Sequence, residues 1–443
     1  MSAEPLLTAA DLEQLAAAGI GEDEARGQLA RLLEPPRPSR LVRPATAGDG
    51  VLRVDPTRVR ALRELAERAR DDGRLTKFVP ASGAATRMFR SLAAIDLDDP
   101  GLDLEALGRR AALGDELAEE ATEILSRLAE LALSAPWAAA LGLEPETLAE
   151  RARTGPLGPL VAALVGPQGL DAASLPKARL PFHEAAEGPR TAFVEQLVEG
   201  IGYLRDADGL CRHHFTVPPG SRDGFDAELL SARELLARRN ARAEVGFSEQ
   251  ETSTHTLALG PDLRPARHED GTLLLRPAGH GALLANLGRL AAAGADLVVI
   301  KNIDNVQPES RHPEIVEWKL LLVGLLVELE ARLHELGSRL AAGDLDREAL
   351  VEAVEWAGAT FGRRPPRAPR ALPDGVLADH LADALARPLR VCGVVPNTGE
   401  PGGGPFWTLG ADGVETPQIV ESAQVDSADV AQQAIWRSST HFN

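Results

Sequence analysis

The residues able to do chemistry fall in a few short segments that couple turn-forming stretches to charged or polar side chains. In Lys77-Phe78-Val79-Pro80-Ala81-Ser82-Gly83-Ala84-Ala85-Thr86-Arg87-Met88-Phe89 an apolar strand runs through a small-residue loop toward a helix. Such a loop lets backbone N–H groups converge on an anion, the helix N-terminus adds its positive dipole end, and Arg87 adds a fixed charge. The same composition also suits a plain packing joint. In Leu175-Pro176-Lys177-Ala178-Arg179-Leu180-Pro181-Phe182-His183, Pro176 stiffens the backbone before a lysine that opens a strand, a pattern shared by ordinary surface lysines. Pro277-Ala278-Gly279-His280-Gly281 directly precedes a helix, and its glycines permit close ligand approach. Val299-Ile300-Lys301-Asn302-Ile303-Asp304-Asn305 ends an apolar strand on Asp304, where a carboxylate can hold Mg²⁺ against substrate phosphates or simply form a turn. Glu400-Pro401-Gly402-Gly403-Gly404-Pro405-Phe406-Trp407 reads as a lid or a hairpin tip, and Glu421 behind it as a sugar-hydroxyl acceptor or a solvent-facing residue.

Other chemistries lack their signatures. His183, His213, His214, His255, His268, His280 and His312 show no H-E-x-x-H or similar metal-ligand spacing. There is no G-x-S-x-G elbow, Walker A sequence or strand-coupled G-x-G-x-x-G. The chain has only four lysines, at 77, 177, 301 and 319, so each marks a place where a compact ammonium replaces the abundant arginine. Three of them lie in the segments above.

A formal net charge of −19 argues against non-specific nucleic-acid binding, so an anionic ligand needs a local basic pocket. The longest apolar run, near Leu320 to Val327, is far below the roughly 20 residues of a membrane span. With two cysteines, Cys211 and Cys392, and no signal-like N-terminus, a cytoplasmic protein without a disulfide framework is expected. Neither nucleic acid nor membrane is expected as a partner.

The elements that must position these residues follow from periodicity and breakers. Residues 1–50 read as a helical prefix and proline-rich linker, and Asp55-Pro56 caps a helix to about Asp72. The core begins with a strand at 75–80. Helical insertions are expected at about 100–170 and 308–370. Strand patterns recur at 178–182, 213–217, 243–247, 254–259, 272–275 and 296–300, with helices at 190–204, 223–239 and 281–293 between several of them. This alternation predicts an α/β fold with a mostly parallel central sheet and flanking helices, which binds ligands at the carboxyl ends of its strands. Strands return between 389 and 420.

Taken in order, the small-residue loop with Thr86-Arg87-Met88, Pro176-Lys177, Gly279-His280-Gly281, Asp304-Asn305 and Val420-Glu421-Ser422 resemble the sugar-nucleotide pyrophosphorylases of the GT-A fold. From about Leu75 onward the chain more closely resembles an uncharacterised bacterial domain-of-unknown-function family, DUF4301, itself similar to UDP-sugar pyrophosphorylases. That likeness rests on Phe78 to Phe89, Gly279 to Gly281, Lys301 to Val306 and Glu400 to Trp407. The resemblance implies that Ser82, Gly83, Ala84, Ala85 and Thr86 hold a nucleoside triphosphate, with Arg87 on the leaving pyrophosphate. It implies that Lys177 bridges the attacking sugar phosphate and the α-phosphate. Gly279, His280 and Gly281 would flank the base or ribose, Gln250 would read the base, Asp304 would ligate Mg²⁺, and Glu421 would contact the sugar.

The sequence departs from the pyrophosphorylase pattern in three places. Gly-x-Gly-Thr-Arg appears as Gly83-Ala84-Ala85-Thr86-Arg87, and the helical insertion displaces Pro176-Lys177 from the loop. The resemblance would also continue past Asn443, into a segment expected to carry a second metal carboxylate and part of the sugar pocket. The expected reaction is nucleotidyl transfer, joining a nucleoside triphosphate and a sugar-1-phosphate to give a nucleotide-sugar and pyrophosphate. A GT-A glycosyltransferase and a non-catalytic nucleotide-binding protein remain as alternatives.

Overall fold

The computed structural model describes residues 6–34, 37–399 and 402–443, with the His280 side chain excepted. The chain forms two compact units. One comprises residues up to Leu33 and Arg70–Glu317, and the other Glu34–Ala69 and Trp318–Asn443.

The first unit is built on four parallel strands, β1 (Leu75–Pro80), β2 (Leu210–Val217), β3 (Arg242–Glu249) and β4 (Leu297–Ile300). Their order is β3-β2-β1-β4, and every neighbouring pair runs parallel. Helix α1 (Ala192–Leu204) precedes β2, α2 (Arg222–Arg238) joins β2 to β3, and α3 (Leu284–Ala292) precedes β4. The mixed α/β class with a parallel sheet and flanking helices is therefore as the sequence implies. Because β2 lies on one side of β1 and β4 on the other, the loops leaving β1 and β4 bound the place where the winding direction reverses. Crevices at such reversals, outside the carboxyl ends of the strands, are the ligand sites of open α/β sheets.

The core between sheet and helices centres on aromatic rings. Phe193 of α1 lies 4.7 Å from Phe215 of β2 and 5.3 Å from Phe225 of α2, ring centre to ring centre, and both contacts are tilted or edge-on. Five helices, Leu104–Ala112, Glu116–Ser126, Ser134–Ala140, Pro145–Thr154 and Leu157–Val165, fill the interval between β1 and α1 around their own core, which includes fully buried Trp137. The N-terminal helices Ala9–Ala17 and Glu22–Leu33 pack on Leu257 and Leu273.

Several local expectations are corrected. The stretch 178–182 is not a single strand: Lys177–Arg179 is a 3-10 turn, and Pro181–Ala185 pairs antiparallel with Gly188–Thr191. Segments 254–259 and 272–275 are extended but form only isolated bridges, among them Thr256 with Arg276 and Arg267 with Leu273. Pro261, Pro265 and Pro277 flank them, and a proline supplies no ladder N–H.

In the second unit, strands Leu41–Pro44, Gly404–Leu409 and Glu415–Val420 form an antiparallel sheet in that order. Helices Arg347–Phe361 and Asp374–Leu385 share an apolar core with Leu336. Among the described residues, no helix is long and apolar enough to cross a membrane.

Candidate functional site

The small-residue loop leaves the carboxyl end of β1 at Ala81, whose N–H donates to the Thr216 carbonyl of β2 at 2.9 Å. Gly83 O accepts the Lys177 N–H at 3.0 Å, and the Ala85 N–H donates to Leu175 O at 3.1 Å, which makes a bridge between Ala84 and Pro176. Lys177 stands 92 positions after Ala85 (177 minus 85), yet the two segments thus lie side by side. Proline suits this place because its missing N–H is not needed in the bridge. The backbone N–H groups of Ser82, Gly83 and Ala84 donate to no acceptor among the described residues. They are available to an anion.

One expectation about the loop needs correction. Beyond it come a 3-10 turn, Ala85–Arg87, and a four-residue helix, Arg90–Ala93, so no sustained helix dipole points at the loop. Ala85, which takes the place of the second glycine in the Gly-x-Gly-Thr-Arg comparison, is fully buried in the apolar core of the insertion helices. Its methyl group anchors the loop, and this gives the departure a packing reason. Arg87 is exposed and makes no ion pair among the described residues.

Lys177 is the point where two strand ends meet. Its backbone bonds to the β1 loop, while its Nζ lies 3.0 Å from Asp304 Oδ2, four residues beyond the end of β4. The turn carrying Lys177 is held from below by Arg179, whose Nε donates to Glu228 of α2 at 2.8 Å; the other Glu228 oxygen accepts the Thr191 hydroxyl. The Lys177 and Asp304 side chains are 28% and 41% exposed. At that exposure an ion pair contributes only about 0–1 kcal/mol, so an incoming phosphate can take over the ammonium at little cost.

Behind this pair lies a buried polar cluster. Lys77 of β1, with no exposed surface, donates to Glu199 of α1 at 3.2 Å and to the Gln196 carbonyl at 2.9 Å. Lys301 also pairs with Glu199, which accepts the Tyr203 hydroxyl at 2.9 Å. Burial by itself would raise the Glu199 carboxyl, but Lys77 and Lys301 hold it down at about 2. Burial, then the neighbouring carboxylate, pushes the Tyr203 phenol well above 10. His213 of β2 is driven down to about 3, by burial first and the Lys77 charge second, so its ring is neutral. Lys77 and Lys301 are therefore bound into the core rather than presented as loop cations. Lys177 differs from both in pairing with an exposed carboxylate, that of Asp304.

A second part of the site gathers around the end of β3. Gln250 Nε2 donates to the Ala278 carbonyl and to Thr254 Oγ1, both at 3.2 Å, which ties Gln250 to the residue preceding Gly279. The His280 backbone opens a 3-10 turn, His280–Leu283, and a Cβ at Gly279 or Gly281 would meet no atom within 4 Å. The His280 side chain lies outside the described residues. Asn286 of α3, buried, reaches Ser248 Oγ at 2.8 Å and Glu249 O at 2.9 Å. Ser248 also meets His214 Nε2 at 2.8 Å.

Glu421 belongs to the second unit, where it opens a turn of its own: its N–H donates to Gln424 Oε1 at 2.8 Å, and its backbone carbonyl accepts the Gln424 N–H at 2.9 Å. Gly402 to Gly404 lead into the strand Gly404–Leu409, whereas Glu400 and Pro401 lie outside the described residues.

Among the described residues no group of three His, Cys, Asp or Glu side chains converges as a ligand cage. Mg²⁺ commonly keeps several waters and takes one or two carboxylates plus substrate phosphates. Asp304, exposed and with one oxygen engaged by Lys177, fits that second arrangement.

Gln196, Glu199, Glu228 and Asn286 were not singled out in the sequence. Gln196, Glu199 and Asn286 are polar residues inside largely apolar helices, which was their only mark, and Glu228 is one of several charged residues of α2 and had none.

The model of DUF4301, a domain of unknown function, matches residues 8–443. The chain belongs to this family. A comparison with curated proteins gives no match. Family membership takes in the N-terminal helices from Ala9 onward, beyond the stretch from Leu75 on which the sequence resemblance rested.

Proposed function

We propose that this member of the DUF4301 family is a Mg²⁺-dependent nucleotidyltransferase of the GT-A kind, joining a nucleoside triphosphate and a sugar-1-phosphate. The observation that carries the reading is the double attachment of Lys177, backbone to the β1 loop at Gly83 and ammonium to Asp304 beyond β4. This puts a cation and a carboxylate beside unpaired backbone N–H groups at the sheet's reversal point, which suits a phosphate group.

In the proposed reaction the sugar phosphate oxygen attacks the α-phosphorus in line, and pyrophosphate leaves. Both reactants are anions, so positioning and charge neutralisation supply most of the rate. Ser82 to Thr86 would bind the triphosphate through backbone N–H groups, and Arg87 would take the leaving pyrophosphate. Lys177 would release Asp304 and bridge the two reacting phosphates. Mg²⁺, held by Asp304 together with substrate phosphates, supplies further neutralisation when bound. Gln250 and the Gly279–Gly281 segment would receive the base.

The identity of the protecting ligand tests this reading. Nucleoside triphosphates should protect the 82–87 loop from hydrogen exchange, and Gly83→Ala should weaken that protection. Protection by nucleoside diphosphate-sugars alone would favour glycosyl transfer. Triphosphate binding without metal-dependent turnover would favour a binding protein.

A further inference from the structure

The segment carrying Asp304 contains little structure of its own: beyond β4 it makes one turn, closed by the Asn305 N–H on the Asn302 carbonyl at 3.3 Å. Its position is imposed from α1. Gln196 has no exposed surface, and its Nε2 donates to Asn302 O at 2.8 Å and to Ile303 O at 3.2 Å. These are the two carbonyls immediately before Asp304. One helical turn further on, Glu199 takes the Lys301 ammonium at the start of the same segment. Lys77 locks the Gln196 carbonyl to β1 in turn. We infer that Gln196 is the positioning residue that holds Asp304 against Lys177, through its two-donor grip on the Asn302 and Ile303 carbonyls.

The chemistry of the side chain supports the role. An amide nitrogen offers two N–H donors from one atom, which matches two converging carbonyls. Gln196 Oε1 finds no hydrogen-bond partner among the described residues, so the residue contributes through its donors. Turning the amide over would set an acceptor against two acceptors. A glutamate of the same shape would do likewise whenever ionised, and a protonated glutamate would restore one donor.

The functional meaning of this grip rests on the reading of Lys177 and Asp304 above, but its test needs no substrate. The full chain is labelled with acetic anhydride, and modification of each lysine is read by mass spectrometry. The four lysines are separately resolvable, and buried Lys77 reports whether the fold is intact. Asp304→Asn should raise Lys177 labelling several-fold over the unaltered chain. Gln196→Leu should raise it comparably, although both members of the ion pair are unchanged, while Lys77 stays protected. Gln196→Met, which keeps the length of the side chain and removes both donors, should raise Lys177 labelling in the same way while Lys77 stays protected. Lys177 labelling unmoved by Gln196→Leu with Lys77 protected, or unmoved by Asp304→Asn, overturns the inference. If Gln196→Leu exposes Lys77, Gln196→Met decides, and Lys177 labelling unmoved in that variant overturns the inference. Lack of turnover with any triphosphate would defeat the proposed function and leave these labelling results standing.

Discussion

Lys177 and Asp304 combine accessibility with a weak mutual bond, and that combination separates a working pair from a structural one. Lys77 and Glu199, by contrast, are buried and tightly satisfied. Removing a carboxylate from such a buried pair leaves ammonium charge uncompensated, which typically costs about 3–5 kcal/mol. Glu199→Gln is therefore expected to lower the unfolding midpoint sharply in a urea or thermal titration, while Asp304→Asn leaves it nearly unchanged. The pH dependence follows from the direction of the Glu199 shift. Its folded value of about 2 lies below the ordinary 4.5, so its stabilising contribution is complete above the unfolded value and is lost as pH falls through that interval toward 2. Acid titration of the unaltered chain and of Glu199→Gln should differ most above pH 4.5 and converge near pH 2. Ala85 makes its prediction from its place in the loop. Because its methyl is buried and glycine adds backbone freedom, Ala85→Gly should cost about 1 kcal/mol of stability, measured by denaturant unfolding.

Elements explain which parts of the site were legible in the sequence. Alternating strand and helix patterns revealed β1, β2, β3 and β4: buried β1 and β4 contain short apolar runs bounded by turn residues, whereas the edge strand β3 shows through its alternation of polar and apolar residues. Loop residues at the ends of β1 and β4 stood out for the same reason: small, acidic and amide residues follow directly on apolar runs. The convergence of Lys177 with the loop was not legible. Only a backbone bridge between Ala84 and Pro176 creates it, and no periodicity encodes such a contact across a helical insertion. Nor was the supporting face of α1 visible, since Gln196 and Glu199 look like solvent-facing positions until the segment after β4 is packed over them. A strand was expected at 178–182 because apolar and polar residues alternate there; the turn at Lys177–Arg179 forms instead, with Arg179 drawn to Glu228. The N-terminal helices show the same hidden logic. Gln14 exchanges two hydrogen bonds with the Leu273 backbone, Gln28 bonds the backbone at His255 and Leu257, and Asp11 receives Arg267 at 2.6 Å and 2.8 Å. Those bonds hold the extended segment that runs between Gln250 and Gly279. The double variant Gln14→Leu, Gln28→Leu should make residues 254–276 more sensitive to limited proteolysis than in the unaltered chain.

The whole molecule carries a net charge of −19, which repels phosphate-bearing ligands at long range. An anion-binding function therefore depends on the local arrangement of Arg87, Lys177 and unpaired loop N–H groups rather than on a general field. Within the second unit, packing is close enough for a single methyl to matter: a Cβ at Gly324 would come 1.9 Å from the Leu62 carbonyl oxygen. Overpacking of that sort costs about 1–3 kcal/mol, so Gly324→Ala should destabilise that unit in thermal unfolding. The central claim concerns the first unit and its chemistry. Its most direct test is pyrophosphate release from a panel of nucleoside triphosphates and sugar-1-phosphates with Mg²⁺, using the unaltered chain, Lys177→Ala and Asp304→Asn. The account predicts release that requires both substrates and Mg²⁺, reduced about 10²- to 10³-fold in either variant. Equal release by all three proteins, or none from the unaltered chain with any pair, would contradict it.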